Sequence, residues 1–483
     1  MNVMSSLSSS PNRSTGAELV SKFVMLTCLV IFIASVISGF LFENVWAWTA
    51  GLIYLAYDTW LLLFVLFQTF NLRSKILLPL PNLLVNQGSQ HRRIDPDKNL
   101  SISVIIPSRN ESLILPNCLD ALFLQTYPLA QILIVDDGST DNSPQLLQQN
   151  YGIANQSGLV CSARYSNLTV LRLGHQGKAR ALNSALDYID SDIVVTLDAD
   201  TVISPDALQA FVSEFKQNPD LVAAGGVLQP VCRQNKSGRL FDVFFQFFQQ
   251  FEYIFSFLSR AAWQESNALL LVSGAFAAYR CDMLKTLGGF DAQSMVEDYE
   301  LNHRIYRYAY QHQLNWTVGV VGQAYSITDA PNGFKSFFHQ RRRWFAGFLE
   351  TQYNNLDMMA NNKFGRVGRF MLPIKMLDTV QPFFAVAAIF ILLMLVIQQS
   401  PAVYTVLMII AAKIALDLCF HLWGIYVYQR WTNIKMTWHV IPQMIFATIA
   451  APFSFQIVKV LGACLGWWIF IRKQKNWLPQ REI

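Results

Sequence analysis

The chain has 483 residues, of which 53% are hydrophobic and only 14% charged, with a net charge of +5 at pH 7. Soluble domains carry roughly 45–50% apolar and about 25% charged residues, so this composition argues against an ordinary soluble protein. The modest charge gives no support to a nucleic-acid partner, and seven scattered cysteines without a CxxC pair argue against a zinc site or a disulfide framework.

The apolar residues come in blocks. Residues 1–21 are polar and Ser-rich, with no compact basic region directly ahead of a short apolar core, so the first apolar run reads as a retained anchor rather than a cleaved signal peptide. Runs 23–42 and 47–70 are each long enough to span hydrocarbon, which takes about 20 residues. Only Glu43, Asn44, Val45 and their neighbours join them, so 22–70 is expected to form a transmembrane hairpin. Further runs at 371–398, 402–428 and 438–471 make 371–472 a second membrane region. Pro442 and Pro452 interrupt the last run, which is too long for one plain helix and short for two, giving four to six spans in all. Arg73, Lys75, Arg92 and Arg93 follow the second run, and Arg472, Lys473 and Lys475 follow the last. The positive-inside rule then places residues 71–370 and the tail 473–483 in the cytosol.

Within the middle region the pattern changes to short β-rich runs alternating with helical ones. Residues 102–107, 131–136, 168–173 and 192–198 read as buried strands, and Leu113–Leu124, Ser143–Asn150 and Lys178–Ile189 as helices. That alternation implies an α/β fold with a parallel sheet covered by helices. Ligands of such sheets sit beyond the carboxyl ends of the strands. Arg109–Glu111, Asp136–Asp141 and Asp198–Asp200 fall there.

Three stretches carry chemistry. In DAD, Asp198 and Asp200 are two apart at a strand end, so their side chains can point the same way. Hard divalent cations prefer such oxygens, and magnesium takes one or two carboxylates plus substrate phosphates; a plain turn ahead of the cap at Ser204-Pro205 is the alternative. In VED, Asp298 opens a helical stretch to Tyr310, where a carboxylate also suits the helix dipole without any catalysis. In QRRRW, Gln340, Arg343 and Trp344 are spaced i, i+3 and i+4 and share one helix face. Arginines beside a membrane can also be simple anchors, a reading that suits Arg341 and Arg342.

Residues 239–260 place Asp242, Gln246, Gln249 and Gln250 on one side and Phe241, Phe244, Phe245, Phe248 and Phe251 on the other. This is the pattern of a helix lying in the bilayer interface, with burial in a soluble core as the alternative. Ionisable residues also stand inside the apolar runs: Asp58, Lys375 with Asp378, and Lys413 with Asp417. Such residues should face protein or an aqueous path. Lys413 and Asp417, with aromatics such as Trp423, could line a conduit or pack helices as a neutral pair.

Taken in order, PSRNE at 107–111, DDGSTD at 136–141, QGKARALN at 176–183, DAD, SGA at 273–275, VED, ITDAP at 327–331 and QRRRW resemble the motifs of the processive membrane synthases of glycosyltransferase family 2, a group that includes hyaluronan, chitin, cellulose and poly-N-acetylglucosamine synthases. The resemblance implies a GT-A nucleotide-sugar transferase domain inserted between membrane helices, with amphipathic helices near 239–262 and 333–350. It implies donor contacts from Arg109, Glu111, Asp136, Asp137, Lys178, Asp198 and Arg343, Asp137 meeting the uracil. Mg2+ or Mn2+ would be held by Asp198 and Asp200, the latter as the direct ligand. Glu297 and Asp298 become the catalytic pair, with Asp298 taking the acceptor proton. Gln340, Trp344, Ser273 and Gly274 become acceptor contacts. The chain departs from the family at Val296, where Thr is usual. The implied partners are a UDP-sugar, a growing polysaccharide and the lipid bilayer of a bacterial inner membrane. Transfer of one sugar to a lipid acceptor, or a membrane scaffold with a dead site, are the competing readings.

Overall fold

The computed structural model describes residues 15–77, 99–232 and 240–472. The Ser-rich start, Arg92, Arg93 and the tail 473–483 lie outside the described residues, as do the side chains of Arg73, Lys75, Phe241 and Asp242.

Two long helices, α1 (Thr15–Leu41) and α2 (Thr49–Leu77), form the N-terminal hairpin. A single 3-10 turn at Val45–Trp48 reverses the chain, capped by Asn44, whose side-chain oxygen accepts from the Trp46 amide at 3.0 Å. The indole of Trp48 donates to the Ala388 carbonyl at 2.8 Å, fastening the hairpin to a later membrane helix, α11 (Leu372–Ile397).

The central domain is built on one nine-stranded sheet in the order β3-β4-β2-β1-β5-β8-β7-β9-β6. Its first part holds β1 (Ile102–Ser108), β2 (Gln131–Asp137), β3 (Gly158–Cys161), β4 (Leu168–Leu173) and β5 (Ile193–Leu197). β1 pairs in parallel with both β2 and β5, and β2 with β4. β1, β2 and β5 are buried along nearly their whole length, which is why they read as unbroken apolar runs. Helices α3 (Leu115–Phe123), α4 (Ser143–Tyr151) and α5 (Lys178–Leu186) fall in the connections.

The second part departs from the expected parallel order. β8 (Phe276–Arg280) runs antiparallel to β5, with Leu197 opposite Phe276, and antiparallel to β7 (Leu221–Val231) on its other side. β7 then pairs in parallel with β9 (Thr317–Asp329), which carries the short β6 (Val202–Ile203) at the edge. The sheet is therefore mixed. Between these strands lie α6 (Ala207–Gln217), α7 (Leu240–Glu265), α8 (Cys281–Thr286) and α9 (Glu297–Gln311). α10 (Phe334–Asn354) follows β9, and α11 to α14 complete the chain: α11, α12 (Ala402–Thr432), α13 (Val440–Ala450) and α14 (Phe455–Arg472).

Among the described residues, five helices are long and apolar enough to cross a membrane: Phe23–Leu41, Val45–Phe70, Val367–Ile397, Ala402–Thr432 and Phe455–Arg472. The ambiguous run 438–471 breaks at Ala451–Phe453, around Pro452, into the 11-residue α13 and the 18-residue α14. Proline supplies no amide and disfavours helix before it, so one run becomes two helices.

The face assignment expected for the Phe-rich helix α7 is corrected. Its phenylalanines meet protein, not lipid alone: Phe248 stacks on Phe455 of α14 at 5.3 Å, and Phe245 packs on Phe334 and Phe337 of α10. Gln246 and Gln249 turn inward, although the buried side-chain oxygen of Gln249 has no hydrogen-bond partner. Gln246 accepts from the Cys232 amide and donates to the Pro230 carbonyl, while fully buried Gln249 donates to the Pro331 carbonyl at 2.7 Å. Both faces are thus covered by protein over much of the helix. Phe64 of α2 packs on Trp263 at 4.4 Å, so α7 also joins the domain to the hairpin.

One buried ion cluster fixes three of these helices. Glu252 of α7 accepts two bonds from Arg341 of α10, at 2.8 and 2.7 Å, and pairs with Lys459 of α14 at 3.0 Å. Burial opposes the charge on Glu252, yet Arg341 and Lys459 together hold its carboxyl below the usual range. Arg341 is therefore a strut, not the free anchor expected from its place in QRRRW.

The ionisable residues inside the apolar helices are paired, and each pair is also bonded by a residue of α2. Lys413 of α12 bonds Asp417 one turn on and Asp58 of α2 at 2.7 Å. Lys375 and Asp378 of α11 pair at 2.7 Å, and the Tyr57 hydroxyl of α2 donates to Asp378 at 2.6 Å. Trp423 stacks on Phe70 at 4.4 Å and donates to the Thr69 hydroxyl at 3.0 Å.

Removing one partner of a buried ion pair leaves the other charge uncompensated and costs about 3–5 kcal/mol. Glu252→Gln is therefore expected to lower the melting temperature of the purified protein by several degrees. An unchanged melting temperature would show that packing alone holds α7, α10 and α14 together.

Candidate active site

The carboxyl ends of β1 and β2 lie side by side, with Ser108 opposite Asp136. The loops that follow them are stitched together. Asn110, in the left-handed region at φ 58°, accepts from the Thr140 and Asp141 amides through its side-chain oxygen, and its own amide donates to Ser139. Asp141 in turn accepts from the Ser112 amide at 3.1 Å. Burial alone would raise the Asp141 pKa, but bonds from Ser143 and Ser112 bring it below the usual value.

The paired aspartates divide their work. Asp136 is buried and accepts from the Ser139 amide at 2.9 Å, forming the turn, with Arg172 3.8 Å away. Asp137 accepts from the amides of Gln176 at 2.7 Å and Gly177 at 2.9 Å and from the His175 ring at 2.9 Å. Its carboxylate thereby fixes the loop that leads into Lys178. Arg109 reaches the far nitrogen of the same imidazole at 3.0 Å, so Nδ1 donates to Asp137 and Nε2 accepts from Arg109. Gly138 must remain glycine here: its φ is +72°, and a Cβ would lie 2.8 Å from the His175 amide nitrogen. Glu111 closes the loop through its carbonyl, which accepts from Ile114 and Leu115. His175 and Asn110 were not singled out from sequence, and only their places beside the DDGSTD and QGKA motifs hint at them.

Lys178, the first residue of α5, bridges to the second group. Its ammonium lies 2.5 Å from Asp198 and 3.8 Å from Glu297. Burial opposes that charge, but Asp198 and then Glu297 more than compensate and raise the Lys178 pKa. Asp200, two residues on, accepts from the hydroxyls of Thr201 and Thr328 at 3.3 Å each. Those two hydroxyls touch at 2.9 Å, joining β9 to the aspartate turn. Cys118 of α3 is buried near this turn, its thiol 3.9 Å from the Asp198 carbonyl, and burial followed by Asp200 and Asp198 raises its pKa.

The antiparallel return of β8 delivers the SGA loop to the same place. The Asp198 amide donates to the Ala275 carbonyl at 3.0 Å, and the Gly274 amide donates to Asp298 at 2.8 Å. Asp298 stands in the first turn of α9 with Glu297 and Glu300, where the free amides of the helix start favour anions. Its second oxygen accepts from the Tyr299 amide at 2.8 Å. A Cβ on Gly274 would lie 3.3 Å from that of Asp298, so the loop passes close above the carboxylate. Burial pushes the Glu297 carboxyl above its usual range; Lys178 pulls it back, Asp298 pushes it further, and Arg343 again pulls it back.

α10 covers the far side. Gly347 lies against Val296, where a Cβ would come within 2.6 Å of the valine methyl. The expected threonine is thus replaced by an apolar contact that seats α10 on the start of α9. Gln340 is buried, and its side-chain oxygen has no hydrogen-bond partner. Trp344 packs against the core with the Arg341 guanidinium 4.9 Å from its ring centre. Arg343 is half-buried and within electrostatic reach of Glu297. Asp198, Asp200, Glu297, Asp298, Lys178, Gly274 and Arg343 therefore converge, whereas Arg109, Glu111, Asp136 and Asp137 form a neighbouring loop group. A cavity of about 620 Å³ lies away from both, at the carboxyl end of α9, bounded by Tyr310, Trp316, Lys363 and Arg366. No cluster of three or more metal-ligating side chains is present among the described residues.

Residues 103–288 match the model of glycosyl transferase family 2. Poly-beta-1,6-N-acetyl-D-glucosamine synthase of Staphylococcus epidermidis is 28% identical over 275 residues, covering 56% of this chain and 58% of that one. Hyaluronan synthase of Streptococcus pyogenes serotype M1 is 28% identical over 272 residues, covering 54% and 60%. The chain thus spans under two thirds of the length of these curated relatives. Among solved structures, a mannosyltransferase from Pyrobaculum calidifontis in complex with GDP-Man and Mn2+ matches with a TM-score of 0.51 and 19% identity, over 84% of this chain and 99% of that one. That likeness bears on the fold, which is of the GT-A type.

The hold of Asp137 on residues 175–177 can be tested without any substrate. Charge-assisted bonds contribute about 1.5–3 kcal/mol, so Asp137→Ala should speed amide exchange at Gln176 and Gly177 by at least about tenfold while β2 keeps its protection. Unchanged exchange at those amides would show that the loop is held by other contacts.

Proposed function

Because residues 103–288 are a glycosyl transferase family 2 domain, we propose that this chain is a membrane-embedded inverting glycosyltransferase that uses a UDP-sugar of the glucose or N-acetylglucosamine type to extend a β-linked polysaccharide. The observation that carries the reading is the meeting of Lys178, Asp198, Asp200, Glu297 and Asp298 beneath the Gly274 loop. The relatives that make poly-β-1,6-N-acetylglucosamine and hyaluronan support a polymer product.

The charges of the site define the donor's needs. Four carboxylates face Lys178 and Arg343, so a donor diphosphate would meet a net negative site unless a divalent cation came with it. Asp198 and Asp200 are the residues that would hold Mg2+ or Mn2+, and two carboxylates with substrate phosphates suit magnesium. When bound, such an ion offsets the charge of the departing diphosphate. Lys178 and Arg343 approach that diphosphate from α5 and α10. Arg109, Glu111, Asp136 and Asp137 border the nucleotide, Asp137 acting through the loop it fixes as much as by direct contact.

Asp298 serves the acceptor. Each of its oxygens takes one backbone amide, from Gly274 or Tyr299, which leaves lone pairs for an incoming hydroxyl. As the acceptor oxygen bonds the anomeric carbon, the bond to the diphosphate breaks, UDP leaves and the hydroxyl proton passes to Asp298. Attack opposite the leaving group inverts the centre to give a β linkage. Glu297 keeps Lys178 positioned between the donor and Asp298. Ser273 and Gly274 shape the approach of the acceptor, Trp344 floors its sugar, and the unpartnered oxygen of Gln340 is suited to a sugar hydroxyl.

Five apolar helices and membrane-synthase relatives support an integral membrane protein. The catalytic domain is assigned to the cytosol of a bacterial cell, where its donor resides, on the basic residues that flank the spans. The polar groups of Tyr57, Asp58, Lys413 and Asp417, within α2 and α12, are suited to sugar hydroxyls along a path for the polymer.

The deciding experiment is product size from purified protein in lipid discs, given UDP-glucose or UDP-N-acetylglucosamine with magnesium or manganese. A high-mass glycan degraded by a specific hydrolase is expected, and Asp298→Asn should abolish it while UDP still binds. A product one sugar larger than a lipid acceptor would replace the polymer reading with single transfer. For the metal, Asp200→Ala should remove the metal-dependent part of UDP affinity; undiminished metal dependence would move the ion elsewhere.

A further inference from the structure

The two acidic side chains of the Asp198–Asp200 turn stand in different surroundings. Asp198 faces the Lys178 ammonium at 2.5 Å, so part of its charge is already offset. Asp200 faces hydroxyls. Thr201 and Thr328 each approach the same carboxylate oxygen, Oδ1, at 3.3 Å, and their own oxygens lie 2.9 Å apart. Both threonines are buried, Thr201 completely. The short contact between the hydroxyls takes one of their two protons and leaves the other for Asp200, so the pair forms a chain of donors ending on Oδ1. A neutral hydroxyl directs a carboxylate without cancelling its charge, whereas an ammonium does both.

Backbone bonds set the frame around the pair. The Thr201 amide donates to the Asp198 carbonyl at 2.9 Å and closes the turn. β6 follows directly and pairs antiparallel with β9, Val202 opposite Ile327, and the Ser204 amide adds a bond to the Tyr325 carbonyl at 2.9 Å. Strand register thus brings Thr328 to Asp200 from 128 residues further along the chain. Resting on the transferase reading above, in which Asp200 helps hold Mg2+ or Mn2+, we propose that Thr201 and Thr328 are positioning residues that keep the Asp200 carboxylate turned to receive the cation. Partners behind a ligating carboxylate fix its direction and govern metal affinity. The work of the two aspartates then divides: Lys178 gives Asp198 a counter-charge, while the hydroxyl pair orients Asp200 and leaves its charge for the cation. Neither threonine takes or gives a proton in the transfer. β9 ends one residue after Thr328, ahead of α10 at Phe334, so the strand that leads into the QRRRW helix also orients the cation's ligand.

The test uses the full chain in lipid discs, with Mn2+ and UDP as probes. Free Mn2+ is read by electron paramagnetic resonance, so the result does not depend on turnover. Thr328→Val keeps the outline of the side chain and removes the hydroxyl. It is expected to weaken Mn2+ binding in the presence of UDP by roughly 10- to 100-fold, the range for partners of a metal ligand, while UDP affinity without metal stays at the wild-type value. Thr328→Ser should recover most of that loss. Thr201→Val should shift Mn2+ binding in the same direction, and it carries the test if Thr328→Val does not fold. Wild-type Mn2+ affinity in the valine variants would make the hydroxyls a structural clasp of the turn and overturn the proposal. Equal loss of UDP binding with and without metal, or Thr328→Ser as weak as Thr328→Val, would overturn it as well. Asp200→Ala separates this inference from the reading beneath it. If Asp200→Ala loses Mn2+ while the valine variants keep it, the positioning role alone falls; if Asp200→Ala binds Mn2+ as the wild type does, the assignment of the metal to Asp200 fails and the role of the threonines with it.

Discussion

The site depends on one short antiparallel return. β8 comes back along β5, so that the loop preceding it lies at the carboxyl end of β5. Two bonds from backbone amides complete the junction: Asp198 to the Ala275 carbonyl, and Gly274 to the Asp298 carboxylate. Three segments about 75 and 25 residues apart in sequence are thereby joined, one bond running between main chains and the other from a backbone amide to a side-chain carboxylate. The Asp298 carboxylate is positioned by the same loop that borders Asp198 and Asp200.

That return also marks the limit of what could be read from the sequence. β1, β2, β4 and β5 were legible because a parallel strand buried on both faces is an unbroken run of Ile, Val and Leu. β7 and β8 contain runs of alanine and glycine, as in Ala223–Gly226 and Ala277–Ala278, whose small side chains let strands and helices approach but give no periodic signal. A Cβ on Gly226 would come within 2.2 Å of Phe276, so the glycine records a contact with a strand 50 residues away. The acidic motifs were legible because strand ends and helix starts are local features. Their convergence was not, because β8 and α9 had first to be placed. The glutamines of α7 were correctly seen to share a side, but which side met protein depended on Pro230, Cys232 and Pro331, none of them neighbours in sequence.

Charge in the apolar helices follows the same rule. Lys413 and Asp417 announce themselves four residues apart, whereas Asp58 joins them from the opposite end of the chain. The trio carries one more carboxylate than ammonium. An unpaired charge in hydrocarbon is costly, and Asp58, at 44% exposed the most open of the three, is tied to the Lys413 ammonium at 2.7 Å.

Val296 stands where α10 meets the start of α9. Gly347 brings α10 against this valine immediately before Glu297 and Asp298, and Gly462 and Gly466 bring α14 against Arg341 and Phe345 on α10. At each of these contacts a side chain in place of hydrogen would force the helices apart. α14 is one of the apolar helices long enough to span a bilayer, and α10 packs between it and the residue that precedes α9. A threonine at 296 would put a hydroxyl into the buried Gly347 contact, where it would need a partner; valine fills the contact without that requirement. The substitution therefore suits a chain in which the start of α9 is held by packing against α10. The carboxylate of Asp298 is held from the other side by the Gly274 amide, so its place is set jointly by the sheet and by the helices that meet the membrane.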